Sequence, residues 1–446
     1  MTKIRRFHGG VHPAGHKEDT AAEKIRRLLP DRTLTYPLSQ HIGAGARVCV
    51  TVGERVRRGQ MLAEAQGNVS APIHCAVSGT VKAIGPVMTA RGEKAESITV
   101  ENDEVYDTVP GYGEERDVSS LTPEEIIAGI RDAGIVGLGG AGFPMHVKLA
   151  VREPEKIRTL IVNGAECEPY LTCDYRLMLE RGEALCRGLL LLLRLYPNAE
   201  AVIALEDNKR DAAAHLRDVV ACEKRIRVAL LPTRYPQGGE HMLIYALTGE
   251  RIRTGQLPAD VGCVVVNVAS VIAADDALER SMPLTERVMT VCGDAVAEPG
   301  NFLVSIGDSF RHVLHAAGGL RVTPENLIAG GPMMGSALFS VDVPVTKTAS
   351  GLLAFAHDPR AKYHQTACIR CGACVRVCPE GLVPQMLAQS ADREQIDRFV
   401  QSSGLSCIEC GCCAYACPAK LPLVQSIRYG KRAARQKLSQ KKEEKK

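Results

Sequence analysis

Eight cysteines near the C-terminus carry the most specific chemistry in this 446-residue chain. They form two runs, CIRCGACVRVCP from Cys368 and CIECGCCAYACP from Cys407, which begin 39 residues apart. Each reads C-x-x-C-x-x-C-x-x-x-C-P, the iron–sulfur spacing in which three close thiolates wrap one cubane and the fourth ligates the other. The expected ligand sets are therefore crossed: Cys368, Cys371, Cys374 and Cys417 for one 4Fe-4S cluster, and Cys407, Cys410, Cys413 and Cys378 for the second. Gly372 and Gly411 let the loop backbone approach inorganic sulfide, and Pro379 and Pro418 end each run. Zinc is the competing assignment, but zinc sites use separated C-x-x-C halves with four ligands in total. Cys412 is an additional thiol inside the second run, able to stand in for Cys413.

A second chemical signal is the glycine-rich stretch GIVGLGGAGFPMHVKLA, residues 134–150. Gly137, Gly139, Gly140 and Gly142 permit backbone amides to approach an anion or a flat ring without Cβ clashes. Pro144 is expected to start a helix whose N-terminus favours phosphate, with Lys148 about one turn in. A preceding helix sets this loop apart from the dinucleotide fingerprint, which follows a strand, and the missing Gly-Lys-Ser/Thr sets it apart from a Walker loop.

The elements that must position these residues fall into several segments. At this length two to four domains are expected. Residues 1–33 form a leader with a short helix, and its glycines and prolines keep His8, His12 and His16 off a common helix face. Residues 34–102 alternate apolar and polar positions between glycine turns, a β-rich pattern. Helix and strand patterns then alternate over 118–282, an α/β domain with a largely parallel sheet, opened by a capping box at Thr122-Pro-Glu-Glu125. A small α+β domain spans 283–350, and the cluster module spans 360–424 with a helical insert between its runs. A basic tail, 425–446, reads as a solvated and partly disordered end, or as a contact for anionic lipid or an acidic partner.

Composition limits the setting. The chain is 45% hydrophobic, and its longest apolar run, Gly188–Leu195, is interrupted by Arg194, so no membrane span is expected. No export signal is visible, so the 17 cysteines suit metal and reduced thiols rather than disulfides. The net charge of +4 reflects the tail, and nothing points to nucleic acid.

Several phrases resemble known families. V-x-V-G-E-x-V-x-x-G-Q followed by A-P-x-x-x-x-x-S-G-T-V is similar to biotinyl and lipoyl carriers of the barrel-sandwich fold, but Met61–Val81 holds no lysine for a swinging arm. The Gly loop, then NGAECEP at 163–169 and YPQGGE at 235–240, resembles the flavin- and NADH-binding subunit of respiratory complex I. With FHGGVHPAGHKE, PLSQHIGA, GGPMMG and PVTKTASG, nearly the whole chain resembles the C subunits of Rnf electron-transport complexes. The resemblance implies a multidomain α/β protein: an N-terminal barrel-sandwich, a Rossmann-like FMN/NADH domain, a β-grasp (SLBB) domain used for packing, and a two-cluster ferredoxin module. It implies non-covalent FMN and NAD(H) at Gly137, Gly139, Gly140, Gly142, Phe143 and Lys148, with Asn163, Glu166 and Glu168 lining the flavin and nicotinamide sites. Tyr235, Gly238, Gly239 and Glu240 would form a facing wall, and Asn267 would contact FMN phosphate or ribityl. Leu138 stands where the complex I protein has Arg.

The implied role is a peripheral subunit of an ion-translocating ferredoxin:NAD+ oxidoreductase on the cytoplasmic face of the cell membrane. It would pass electrons between NAD(H), FMN and the clusters and on to integral-membrane and ferredoxin-like partner subunits, meeting ferredoxin indirectly. Two alternatives are a microcompartment NADH-dependent cobalamin reductase, in which the barrel-sandwich segment follows the clusters, and a non-catalytic electron-transfer adaptor.

Overall fold

The computed structural model describes residues 4–358, 360 and 362–443. The chain forms two compact units. One comprises Gly15–Leu231 and Leu257–His357; the other comprises residues up to Ala14, Pro232–Gln256 and the chain from Asp358.

The larger unit contains four sheets. Strands Thr33–Pro37, Lys94–Asn102, Gly79–Met88 and Arg55–Val56 pair antiparallel in that order, and Arg47–Val48, Met61–Glu64 and Ile73–His74 make a second, three-stranded sheet. Their alternating residues Leu34, Tyr36, Leu62, Ile73, Ile98 and Val100 are buried together, as period-2 patterning requires. A parallel sheet follows, ordered Ile226–Leu231, Glu200–Glu206, Thr159–Gly164, Cys263–Asn267. These strands are near-continuous apolar runs because helices cover them. Helix Pro123–Asp132 begins at Thr122 with both bonds of its capping box formed.

The fourth sheet has six strands, ordered Ile25–Arg27, Gly300–Ser305, Glu286–Cys292, Gly351–Phe355, Asn326–Ala329, Ser336–Ala337. Here the leader differs from expectation. Its helix is Glu18–Ala21, and Ile25–Arg27 is a strand parallel to Asn301–Leu303. Neighbouring chain, not the local charge pattern, determines this: an edge in the β-grasp sheet supplies the hydrogen-bond partners that a lone three-residue segment lacks. The same sheet also takes in Gly351–Phe355, just beyond 350.

In the smaller unit, helix Glu240–Thr248 accompanies the cluster module rather than the parallel sheet. The expected insert is two helices, Pro384–Asp392 and Ile396–Gln401. The basic tail is helical, Leu423–Glu443, where a solvated end was expected. Its first turns carry Leu423, Val424, Ile427 and Ala434 into a core with Leu387, Ala391 and Phe399. The run of basic residues hides this stripe, because lysine and arginine occupy only the remaining faces. Gly430 allows the close approach: a Cβ there would lie 2.8 Å from Phe399 and 2.9 Å from Ala391. Gly430→Leu should overpack this junction and remove roughly 1–3 kcal/mol, read by calorimetry as a lower melting temperature of the cluster unit. An unchanged thermogram would contradict the packing.

Candidate functional site: a cysteine-lined cavity and a glycine loop

The two cysteine runs fold as copies of one another. Arg370 and Glu409, the residues before the second cysteine of each run, have φ of 55° and 58°. Gly372 and Gly411 follow at 71° and 81° and precede four-residue helices, Ala373–Arg376 and Cys412–Tyr415. Three residues beyond each final cysteine, Gly381 and Lys420 are again left-handed, at 66° and 54°. Such turns aim successive thiols and amides at one point, and the non-glycine members make the conformation costly unless something fixes it.

The thiols group across the runs. Cys378, Cys407, Cys410 and Cys413, together with the additional Cys412, line one cavity, walled by Leu382, Leu387, Val424 and Ile427. Burial, with mutual repulsion from Cys410, Cys407 and Cys378, pushes the Cys413 thiol up to about 12. Cys374 is in turn influenced by Cys417. Among the described residues, no three cysteines bring their sulfurs within 4.8 Å of one another. Cluster iron would hold them as thiolates despite the raised values. Backbone amides already point at sulfur, Leu382 N at Cys378 Sγ (3.3 Å) and Glu409 N at Cys407 Sγ (3.4 Å).

The terminal helix secures this cavity. The buried Lys431 ammonium donates to Cys407 O at 2.6 Å and pairs with Glu409 at 2.6 Å, while Arg428 reaches the same carboxylate at 3.1 Å. Cys412 is fully buried, its thiol directed to Tyr235 O at 4.0 Å. Tyr235 exchanges backbone hydrogen bonds with Val11, and a Cβ on Gly239 would lie 3.9 Å from Ile408. Gly239 also precedes the helix begun by Glu240. The YPQGGE segment, Gly238 included, thus belongs with the clusters.

The glycine loop lies in the larger unit and closes on itself through Gly137 N to Phe143 O (2.8 Å) and Gly142 N to Gly137 O (3.1 Å). Ser270 pins it, accepting from Leu138 N (2.9 Å) and donating to Val136 O (2.8 Å). Leu138, at the position of the complex I arginine, is buried and points inward. Gly139, Gly140 and Ala141 form an exposed tip. Gly140 has φ 118° with open space beyond its Cα. The helix after the loop is only Met145–Leu149, carrying the half-buried Lys148. Five residues align few peptide dipoles, so the helix end expected to favour phosphate contributes little.

Asn267 links the loop to the strand ends. It stands beside Asn163 in register, approaches the missing Cβ of Gly139 at 3.1 Å, caps helix Val268–Arg280, and donates to Asp174 Oδ2 at 2.7 Å. Asn163 Oδ1 accepts from Ala165 N. Glu166, at φ 43°, accepts from Asp174 N (2.7 Å) and Tyr175 N (3.2 Å). Glu168 accepts from Met333 and Met334 N, in the GGPMMG turn. These two acids therefore hold backbone, a role their loop position alone did not reveal.

Several supporting residues escaped sequence reasoning. Lys17 donates to Glu166 O (3.0 Å), Glu168 O (2.9 Å) and Leu171 O, clamping the loop from the leader. Lys209, pushed down to about 8 by burial, donates to Ala165 O at 2.8 Å. Lys347, pushed down to about 7 by burial, joins Gly134 O and Pro72 O at 2.6 Å each. Lys17 and Lys347 lie within the phrases FHGGVHPAGHKE and PVTKTASG, but their partners are backbone carbonyls, which carry no sequence signal. Burial and then the Glu166 charge push Asp174 up to about 7.

The sign for Asp174 is opposite to that of a salt-bridged aspartate. The native state holds its proton up to about pH 7, so the cost of ionising it in place is present above that pH and is relieved as pH falls toward 4. Asp174→Asn keeps an acceptor for Asn267 and should melt higher than wild type at pH 8, with the gap closing toward pH 4.5. Parallel melting curves across that range would contradict this environment.

The comparisons agree with this geometry. Family models match in order: the RnfC barrel sandwich hybrid domain at residues 5–105, the Nuo51 FMN-binding domain at 130–276, the SLBB domain at 288–337, and the 4Fe-4S dicluster domain at 367–421. Crystal structures of an NAD+-reducing [NiFe]-hydrogenase, H2-reduced and air-oxidized, share the fold with TM-scores of 0.50 and 0.52 at 20% and 21% identity. The match covers 70% of this chain and 62–63% of the hydrogenase chains. The C subunit of the proton-translocating ferredoxin:NAD(+) oxidoreductase complex of Clostridium ljungdahlii is 42% identical over 428 residues, 96% of this chain and 93% of the relative. Its counterpart in the Na(+)-translocating ferredoxin:NAD(+) oxidoreductase complex of Acetobacterium woodii is 40% identical over 426 residues, 96% of each. With relatedness of this degree from end to end, the chain belongs to the family of C subunits of Rnf-type ferredoxin:NAD+ oxidoreductase complexes.

Proposed function

We propose that this chain is the peripheral electron-transfer subunit of an ion-translocating ferredoxin:NAD+ oxidoreductase. The observation that carries this reading is the pairing, on one chain related throughout to such subunits, of a cavity lined by Cys378, Cys407, Cys410 and Cys413 with a separate exposed glycine loop. Cys368, Cys371, Cys374 and Cys417 hold one 4Fe-4S cluster, and the cavity cysteines hold the other. FMN, when bound, exchanges electron pairs with nicotinamide and single electrons with the clusters. Amides of Gly137, Gly139, Gly140 and Gly142, with Phe143 and Lys148, bind the flavin and nucleotide. Asn163 and Asn267 orient the flavin, Glu166 and Glu168 fix the loop beside it, and Tyr235, Gly239 and Glu240, in the cluster unit, are the remaining residues assigned to nucleotide binding. Asp174, poised near neutral pH, holds a proton at its carboxyl next to Asn267.

Among the described residues no helix is long and apolar enough to cross a membrane. In the proposed role the chain docks at the cytoplasmic face on integral subunits, which carry the ions, and reaches ferredoxin through a ferredoxin-like partner. One relative is named for protons and the other for Na+, and the choice of ion is placed in those membrane subunits.

Gly140→Val provides the test. A β-branched side chain at φ 118° is strained and projects into the open space over the loop tip where the nucleotide would lie. In protein reconstituted with iron, sulfide and FMN, NADH-dependent flavin bleaching should fall at least about tenfold, with the iron–sulfur spectrum unchanged. Wild-type bleaching rates in the variant would remove the loop from the nucleotide site, and loss of both signals would contradict a modular division of labour.

A further inference from the structure

Away from the flavin and cluster sites, the larger unit gathers three metal-ligating side chains from two separate segments. Asp31 lies between strands Ile25–Arg27 and Thr33–Pro37, whereas Asp308 and His312 flank the start of helix Phe310–Ala316, capped by Ser309. One oxygen of each carboxylate and one ring nitrogen of His312 lie within 4.8 Å of one another. His312 Nδ1 is 3.4 Å from Asp31 Oδ2 and 3.4 Å from Asp308 Oδ1.

Those separations fit an ion better than a hydrogen bond. Charged N–H···O contacts close to about 2.7–2.9 Å. Ligands on a tetrahedral cation with bonds of 2.0–2.1 Å stand about 3.3–3.4 Å apart. Asp308 supplies the independent observation. Its side chain is fully buried, Oδ1 accepts from Ser309 N at 2.8 Å, and Oδ2 is buried with no hydrogen-bond partner in the protein. A buried carboxylate with one oxygen lacking a donor holds its charge at a cost, and a cation beside the other oxygen, Oδ1, offsets that charge. The Asp31 side chain, 46% exposed, leaves a route from solvent.

We propose that Asp31, Asp308 and His312 form a binding site for one divalent cation of the zinc class, with two carboxylate oxygens, one imidazole nitrogen and an open fourth position for water. The ion fastens the connection entering the barrel-sandwich to the first turn of the β-grasp helix. Two hard oxygens and one imidazole suit zinc or manganese rather than a soft, thiolate-seeking metal. No electron-transfer step passes through it.

The test uses the full chain with its iron–sulfur clusters loaded. Zinc is titrated against a chromophoric chelator into wild type, Asp31→Asn and His312→Gln. Asp31 is partly exposed, so folding of its variant is not at issue. Wild type should hold one more zinc per chain than either variant, with equal iron–sulfur absorbance in all three. Zinc-edge anomalous diffraction should place that ion about 2.0–2.2 Å from the three side chains. Equal zinc stoichiometry in all three proteins, or zinc found at cysteines only, would overturn the proposal and leave the cluster as an ion pair.

Discussion

Holding buried thiols together is the constraint on which the cluster unit depends. Five cysteines from two runs line one apolar cavity, and burial with repulsion among the thiols pushes Cys413 and Cys407 up to about 12 and about 11. Iron must displace the thiol protons to bind, so occupancy of the cavity is coupled to deprotonation of its thiols. Left-handed turns at Arg370, Glu409, Gly372 and Gly411 aim the thiols, and Lys431 anchors the second loop through Cys407 O and Glu409. Because Cys378 comes from the first run, neither run can be ordered without the other.

The same logic extends to the segments that surround the clusters. Tyr235, Gly239 and the leader residues Gly9, Gly10 and Val11 pack within the cluster unit: Gly10 N donates to Val377 O, and a Cβ on Gly9 would strike the Cys378 backbone at 2.7 Å. In the larger unit, a different set of lysines, the buried Lys209 and Lys347 and the half-buried Lys17, holds loop carbonyls near the glycine loop. A buried ammonium satisfied only by carbonyls is sensitive to their placement, so it specifies one loop geometry as much as it stabilises it. That suits a site in which a flavin and a nicotinamide ring must stack in register.

Much of this was legible in the sequence because it rests on local signals. The cysteine spacing, the capping box at Thr122 and the apolar runs of the parallel sheet each depend on a few neighbouring residues, and each appears at its expected place. What was not legible depends on distant partners. Ile25–Arg27 is a strand only because Asn301–Leu303 lies beside it. Leu423–Glu443 is ordered because Phe399 and Ala391 receive its small residues. Glu166 and Glu168 looked like ligand-facing acids, but their carboxylates bind backbone amides whose positions no motif records. Asp174 at a helix start resembles an ordinary first-turn acid until Asn267 and Glu166 are placed around it.

The central claim is that electrons entered at the glycine-loop site leave through the paired clusters of the same chain. It is tested most directly by anaerobic addition of NADH to protein loaded with FMN and iron–sulfur clusters, followed by low-temperature EPR. The account predicts reduced-cluster signals that grow with NADH and approach the intensity that dithionite produces. Flavin bleached by NADH while dithionite-reducible clusters stay oxidised would contradict it.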